Sequence, residues 1–242
     1  QTVHSTCANY YNKLSKSSET TLEQIYHELA SERQQEAIEK IVEFGRQLVS
    51  QGHLELLSLI ESVTLDRLEE SLMAPMMQLQ GDILLMLGRF EQASSIFETA
   101  SKAAKKANLP VVYSEILGSQ ADIAMKQGQT DKALSSHKEA LEVQVELGDA
   151  KGAARTYNNM GYLYRRKNDR GKALEAYSEV EAIISSDESL LSAQIILGRA
   201  LLDLGEVERA RKHAFEAFER TDKADDLLAH ARAQALLGRY HA

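Results

Sequence analysis

The chain has 242 residues, 43% apolar and 26% charged, values of a folded globular protein rather than a disordered one. Its 36 acidic and 28 basic residues leave a formal charge of −8, which argues against a general nucleic-acid binder or a surface that clings to anionic membranes. Only two prolines occur, Pro75 and Pro110, so long helices are expected to run unbroken. With one cysteine, Cys7, no internal disulfide forms, and the chain reads as cytoplasmic. The longest apolar run, Ile83–Leu87, is far short of the roughly 20 residues a membrane span needs. No signal peptide is visible. Gln1 is not an initiator Met and Ala242 falls inside a helical pattern, so the chain is expected to be a piece of a longer protein.

Residues 1–64 read as a helical arm. Thr20-Thr-Leu-Glu23 and Ser31-Glu-Arg-Gln34 have the spacing of capping boxes and predict helix starts at both places. A short polar linker, Ser15–Thr20, precedes the first. A long helix should run from about Glu36 to Ser50 and stop at Gly52, with a further helix over Leu54–Ser62.

Residues 65–242 repeat. Four segments, Gly81–Ala100, Ala121–Ala140, Gly161–Val180 and Gly198–Ala217, align without gaps. Each carries a small residue first, then Gly88, Gly128, Asn168 or Gly205, and then Ala93, Ala133, Ala173 or Ala210. Phe97, His137, Tyr177 and Ala214 follow. The alanines are spaced 40, 40 and 37 residues apart, and a fifth copy begins at Leu237-Gly238. Apolar spacings of 3, 4 and 7 on either side of each Gly or Asn describe two helices. The Gly or Asn between them should take the left-handed conformation that ends the first. Gly81, Gly161 and Gly198 fall within helices, where glycine costs about 0.5–1 kcal/mol against alanine. That cost predicts close approach of two helix backbones there, with the repeated alanines filling the other side. Each repeat is thus a helical hairpin that buries its apolar face only by stacking on its neighbours.

The order Leu-Gly-x-x-Tyr, Gly, Ala, aromatic, Ala resembles the tetratricopeptide repeat. The best copy is Tyr157-Asn-Asn-Met-Gly-Tyr-Leu-Tyr164 followed by Asp169-Arg-Gly-Lys-Ala173 and Tyr177. The resemblance implies an all-α, right-handed superhelical solenoid with the helical arm in front. The spacing exceeds the roughly 34 residues usual for that repeat, so both helices should be longer. They should meet their neighbours at turns such as Gly148-Asp149. The arm, through His4…Ala8-x-Tyr10-Tyr11, Tyr26-His27-x-Leu29-Ala30 and Leu48-Val-Ser-Gln-Gly52, resembles the region before the repeats in MalT-like, STAND-type signalling NTPases. That likeness implies a sensor or regulatory region whose NTPase domain lies elsewhere in the parent. The alternative is a scaffold or adaptor with no linked NTPase.

No phosphate loop, dinucleotide fingerprint, nucleophile elbow or zinc-protease helix occurs, so no catalytic residue, cofactor or metal is assigned. His4-x-x-Cys7 has ligand-like spacing without a second pair. His137 falls where Phe97 and Tyr177 fall and should be a core histidine. In tetratricopeptide arrays the first helix of each hairpin lines the concave wall, and the resemblance places Gln78 and Asp82 on that wall. It adds Glu115, Asp122 and Lys126 from the second copy, then Arg155, Asn158, Tyr162, Arg165 and Arg166 from the third. Arg199 follows from the fourth, and Arg232 and Arg239 from the stub. The early wall is acidic. The late wall is rich in arginine, which suits a carboxylate or phosphorylated partner because guanidinium holds such anions bidentately, unless Arg165, Arg166 and Arg170 pair with nearby acids. Gln78 and Asp82, or Asn158 and Tyr162, do not supply the Lys and Asn set with which some arrays clamp a chaperone tail. The expected partner is therefore a protein or peptide, with an intramolecular NTPase domain as a second candidate. No membrane contact is expected, and nucleic acid is disfavoured. Leu227, Leu228, Leu236 and Leu237 form an uncapped apolar end through which the chain could self-associate.

Overall fold

A computed structural model describes residues 2–14, 17–31, 33–64, 68–187, 190–222 and 227–238. Among them the regular structure is all helical, in two compact units, residues 1–123 and 124–242. The division falls within α7.

In the first unit the arm is α1 (Thr2–Tyr11), α2 (Ser18–Leu29), α3 (Gln34–Ser50) and α4 (Leu56–Glu61), followed by α5 (Glu70–Met86), α6 (Phe90–Lys106) and α7 (Pro110–Lys126). The helix α2 starts earlier than its sequence suggested. Ser17, not Thr20, is the N-cap. Its hydroxyl accepts from Thr20 N at 3.2 Å while Thr20 Oγ1 accepts from Ser17 N at 2.8 Å, so Thr20 closes the box from its third position. The second expected box does not form. Arg33 precedes α3 without a side-chain cap, and the Ser31 hydroxyl instead donates to Glu28 O at 2.9 Å. Gly52 ends α3 at φ +94°, as its position predicted. One charge lies wholly inside the arm. Glu28 is 0% exposed, accepts from Lys40 Nζ at 2.8 Å on both oxygens and from Gln24 Nε2 at 2.9 Å. Three donor contacts on one carboxylate compensate the loss of water. The arm meets the repeats where α3 packs on α5. A Cβ on Gly45 would fall 2.2 Å from Leu79 Cδ2, so the absence of a side chain there sets the approach.

The second unit holds α8 (Thr130–Glu146), α9 (Ala150–Arg166), α10 (Arg170–Ser186), α11 (Leu191–Asp203), α12 (Val207–Asp222) and α13 (Leu227–Gly238). The helices α9 and α10 pack as one hairpin and α11 and α12 as the next. Tyr177, Val180, Leu197, Leu201 and Ala210 lie in their shared core. From α5 through α10 each helix has 17 residues, which absorbs the long repeat spacing. Asp149 and Asp169 cap α9 and α10 by accepting from Gly152 N at 2.9 Å and Lys172 N at 3.1 Å. The stops are where the pattern placed them: Gly88, Gly128, Asn168 and Gly205 all have φ between +58° and +79°.

Two of the three mid-helix glycines differ from expectation, because Gly81 and Gly161 admit side chains rather than a bare helix backbone. A Cβ on Gly81 would lie 2.5 Å from the Phe97 ring, and one on Gly161 would lie 2.3 Å from the Tyr177 ring. An aromatic ring from the second helix thus fills the groove that glycine leaves in the first. At Gly198 the Ala210 backbone oxygen lies 3.4 Å from the constructed position, the close approach expected there, and Leu236 of α13 lies 2.9 Å from it. Leu236 is therefore buried, at 4% exposure, rather than part of an open apolar end. Leu237 is half-buried, and the side chains of Leu227 and Leu228 lie outside the described residues.

Candidate recognition surfaces

In the first unit, Gln78 and Asp82 project from α5 one turn apart and Glu115 and Asp122 from α7 two turns apart. The structure brings them together with a residue that periodicity could not suggest, Arg46 of α3. Its guanidinium grips Glu115 as a fork, Nη1 to Oε1 at 2.8 Å and Nη2 to Oε2. Gln78 Nε2 donates to Glu115 Oε2 at 3.1 Å, and Ser119 Oγ donates to Asp82 Oδ1 at 2.9 Å. Burial pushes the Asp82 carboxyl up to about 6, with Glu115 and Asp122 raising it further and Ser119 and Arg46 opposing. The Glu115 contact holds Arg46 firmly charged. Gln78 is 3% exposed and its Oε1 has no partner. Lys126 is exposed in the last turn of α7.

In the second unit, Arg155, Asn158, Tyr162 and Arg165 fall at intervals of three and four along α9 and share one face. Arg155 and Tyr162 are exposed, and between them Asn158 is 6% exposed with neither Nδ2 nor Oδ1 bonded. Because both amide atoms are unpartnered, turning the amide over changes nothing in this account. Arg165 is not a free cation. It lies 3.2 Å from Asp203 of α11, with its guanidinium 5.4 Å from the centre of the Tyr162 ring. Arg166 is exposed, 6.0 Å from that ring. Arg170 is held at the next turn by Glu206 and Leu204 O. Arg199 on α11 and Arg232 on α13 are exposed, while Arg239 lies outside the described residues. His137 is a core histidine, 2% exposed. Burial, with the Arg155 charge adding, lowers it to about 4.

Among the described residues no group of three or more His, Cys, Asp or Glu could hold a metal ion, and no helix is long and apolar enough to cross a membrane. Cys7 is half-buried on α1, and its neighbour His4 meets His27, Nδ1 to Nδ1, at 2.8 Å.

The tetratricopeptide-repeat family model matches residues 113–186. Comparison with curated proteins by sequence found no match. Solved structures with the same fold include BtubC (BKLC) of P. vanneervenii, 19% identical, covering 86% of this chain and 82% of that one with a TM-score of 0.58. A second is PH0952 of Pyrococcus horikoshii, a signal transduction ATPase with numerous domains and a tetratricopeptide repeat sensor. It is 14% identical, with 95% of this chain aligned to 41% of that one and a TM-score of 0.69. A third is the Rap conjugation gene regulator of plasmid pLS20 in complex with the Phr* peptide, 20% identical, with 95% and 62% covered and a TM-score of 0.62. The chain thus has the fold of tetratricopeptide arrays and spans less than half of the ATPase.

Proposed function

We propose that this chain is a cytoplasmic peptide- or protein-recognition array with a regulatory role, and that the α9 stripe, with Arg199 on α11, is its binding wall. One observation carries the reading. Asn158 holds a donor and an acceptor out of water with no partner for either, at a cost of about 1–3 kcal/mol for each unpaired group. Both are met by a peptide group, which presents one acceptor and one donor at matching spacing. Arg155 and Arg199, both exposed, present guanidinium donors to a carboxylate on the same ligand. The finer reading is a sensor region within a STAND-type ATPase. It draws support from the arm-plus-repeat order and from the extent of the likeness to PH0952, and the peptide complex of the Rap regulator fits it too. The alternative remains an adaptor with no linked NTPase.

The test is selection of random dodecapeptides displayed with free C-termini on the purified chain, followed by titration against Asn158→Leu. Enriched peptides should lose at least about tenfold in affinity, one unpaired group's worth. The variant itself should be no less stable, because an apolar side chain suits a buried site that leaves an amide unpaired. Failure to enrich any peptide, or affinity indifferent to residue 158, overturns the reading. ATP hydrolysis by the full-length parent, with and without residues 1–242, separates sensor from adaptor.

A further inference from the structure

The first unit carries a second surface of opposite sign. Glu115 and Asp122 stand close enough to Asp82 to raise its proton affinity, on top of the larger effect of burial. Arg46, from the arm and outside the repeats, pairs with Glu115 and lies close enough to Asp82 to feel its charge. The fork it makes is only partly sheltered, with the Arg46 side chain 55% exposed against 27% for Glu115. A water-accessible ion pair contributes little to stability, so the fork does not account for the arrangement of acids beneath it. A second, independent observation points to a ligand. Gln78, 97% buried beneath Glu115, keeps its carbonyl oxygen without a donor, although Arg46 supplies five donors nearby. Arg46 therefore fills the site incompletely. Beside the fork lies a cavity of about 260 Å³, lined by Ile41, Val42, Leu79 and Val111 together with Arg46 and Glu115 themselves.

We propose that Asp82, Gln78 and Glu115 form a receptor for an arginine side chain of a peptide partner, with an aliphatic neighbour seated in the adjoining cavity, and that Arg46 occupies it as an internal stand-in which the partner displaces. The proposal rests on the recognition reading above but uses a different surface and a ligand of opposite charge. A guanidinium entering from solvent takes the same fork on Glu115 and has donors left for Gln78 Oε1 and the free oxygen of Asp82. The chain's net charge of −8 favours encounter with such a ligand. Displacement of Arg46 breaks its ion pair between α3 and α7, so occupancy bears on the arm's attachment.

The experiment uses a fluorescein-labelled hexapeptide mixture with arginine fixed at the third position and Ala, Val, Leu or Ile elsewhere. Its control is the same mixture with citrulline, which keeps the shape and loses the charge. Anisotropy is read on the whole chain, on Arg46→Gln and on Arg46→Met, the latter retaining an apolar stem should the former fold poorly. Both variants should bind the arginine mixture at least tenfold more tightly than the unaltered chain and at least tenfold more tightly than they bind the citrulline mixture. Adding Glu115→Gln should remove the gain. Equal binding of the two mixtures, or no gain on removing Arg46, makes Arg46 a strut and overturns the proposal. Peptides selected through Asn158 would still bind in that event, so the two readings fail separately.

Discussion

Replacing Gly161 with alanine adds one methyl group against a buried aromatic ring of the second unit. The new Cβ would stand 2.3 Å from Tyr177 Cε1 and 2.7 Å from both Cδ1 and Cζ, more than 1 Å inside ordinary contact with the first of them. The ring cannot swing away, because Tyr177 is 1% exposed and packed in the core with Val180 and Leu197. Overpacking of this kind costs about 1–3 kcal/mol. Alanine returns up to about 1 kcal/mol of helix propensity, so a net loss of about 1–2 kcal/mol is expected. Gly118 in α7 is the control. It too lies within a helix, but a Cβ there meets nothing within 4 Å, and Gly118→Ala should gain about 0.5–1 kcal/mol. Urea unfolding followed by circular dichroism should therefore move in opposite directions for two chemically identical substitutions. Tyr177→Leu should relieve most of the Gly161→Ala penalty in the double variant, a coupling of about 1 kcal/mol or more. If Gly161→Ala is as stable as the unaltered chain, or the coupling vanishes, the ring-in-groove account is wrong.

Two further outcomes follow from buried charge. Lys40→Met strands the carboxylate of Glu28 at 0% exposure and should cost about 3–5 kcal/mol in a thermal melt, whereas Lys40→Met with Glu28→Leu should recover most of it; equal losses in both variants would refute the pairing argument. His137 is held near 4 against 6.5 when unfolded. A depressed folded value means that its contribution is fully present above pH 6.5 and is lost as pH falls toward 4. The loss is on the order of 3 kcal/mol for 2.5 units at 1.36 kcal/mol each. His137→Leu should flatten the decline in urea midpoint between pH 7 and 4.5, and an unchanged slope would show that other groups govern it.

The hairpins were legible because their punctuation is local. Gly88, Gly128, Asn168 and Gly205 recur at spacings of 40, 40 and 37 residues, each between two helical apolar patterns, and the left-handed turn they make depends on no distant partner. The arm's caps were less legible. Thr20 looks like an N-cap, yet its hydroxyl serves equally from the third position, and only the fold chooses Ser17. The surface around Glu115 was half legible. The resemblance to tetratricopeptide arrays grouped Gln78, Asp82 and Glu115, but Arg46 stands 69 residues from Glu115 on an arm with no repeat to index it. On α9 the stripe was readable as a face, whereas the unmet hydrogen bonds of Asn158 and the engagement of Arg165 by Asp203 are properties of packing.

The rings that sit over Gly81 and Gly161 also bear on how such a chain can be copied and recombined. Each ring lies sixteen residues beyond its glycine, across the turn at Gly88 or Asn168. A crossover within that turn would separate lock from key, and a helix carrying Ala121 in place of glycine would inherit a phenyl ring it has no room for. The sequence of the second copy has alanine at 121 and the smaller imidazole at 137, changed at both places together. Breakpoints at Asn108 or Gly148, between hairpins, part no such pair. The unit of duplication, and of grafting by an engineer, is therefore the whole hairpin cut at those outer turns, and libraries that shuffle single helices should yield mostly chains that do not fold.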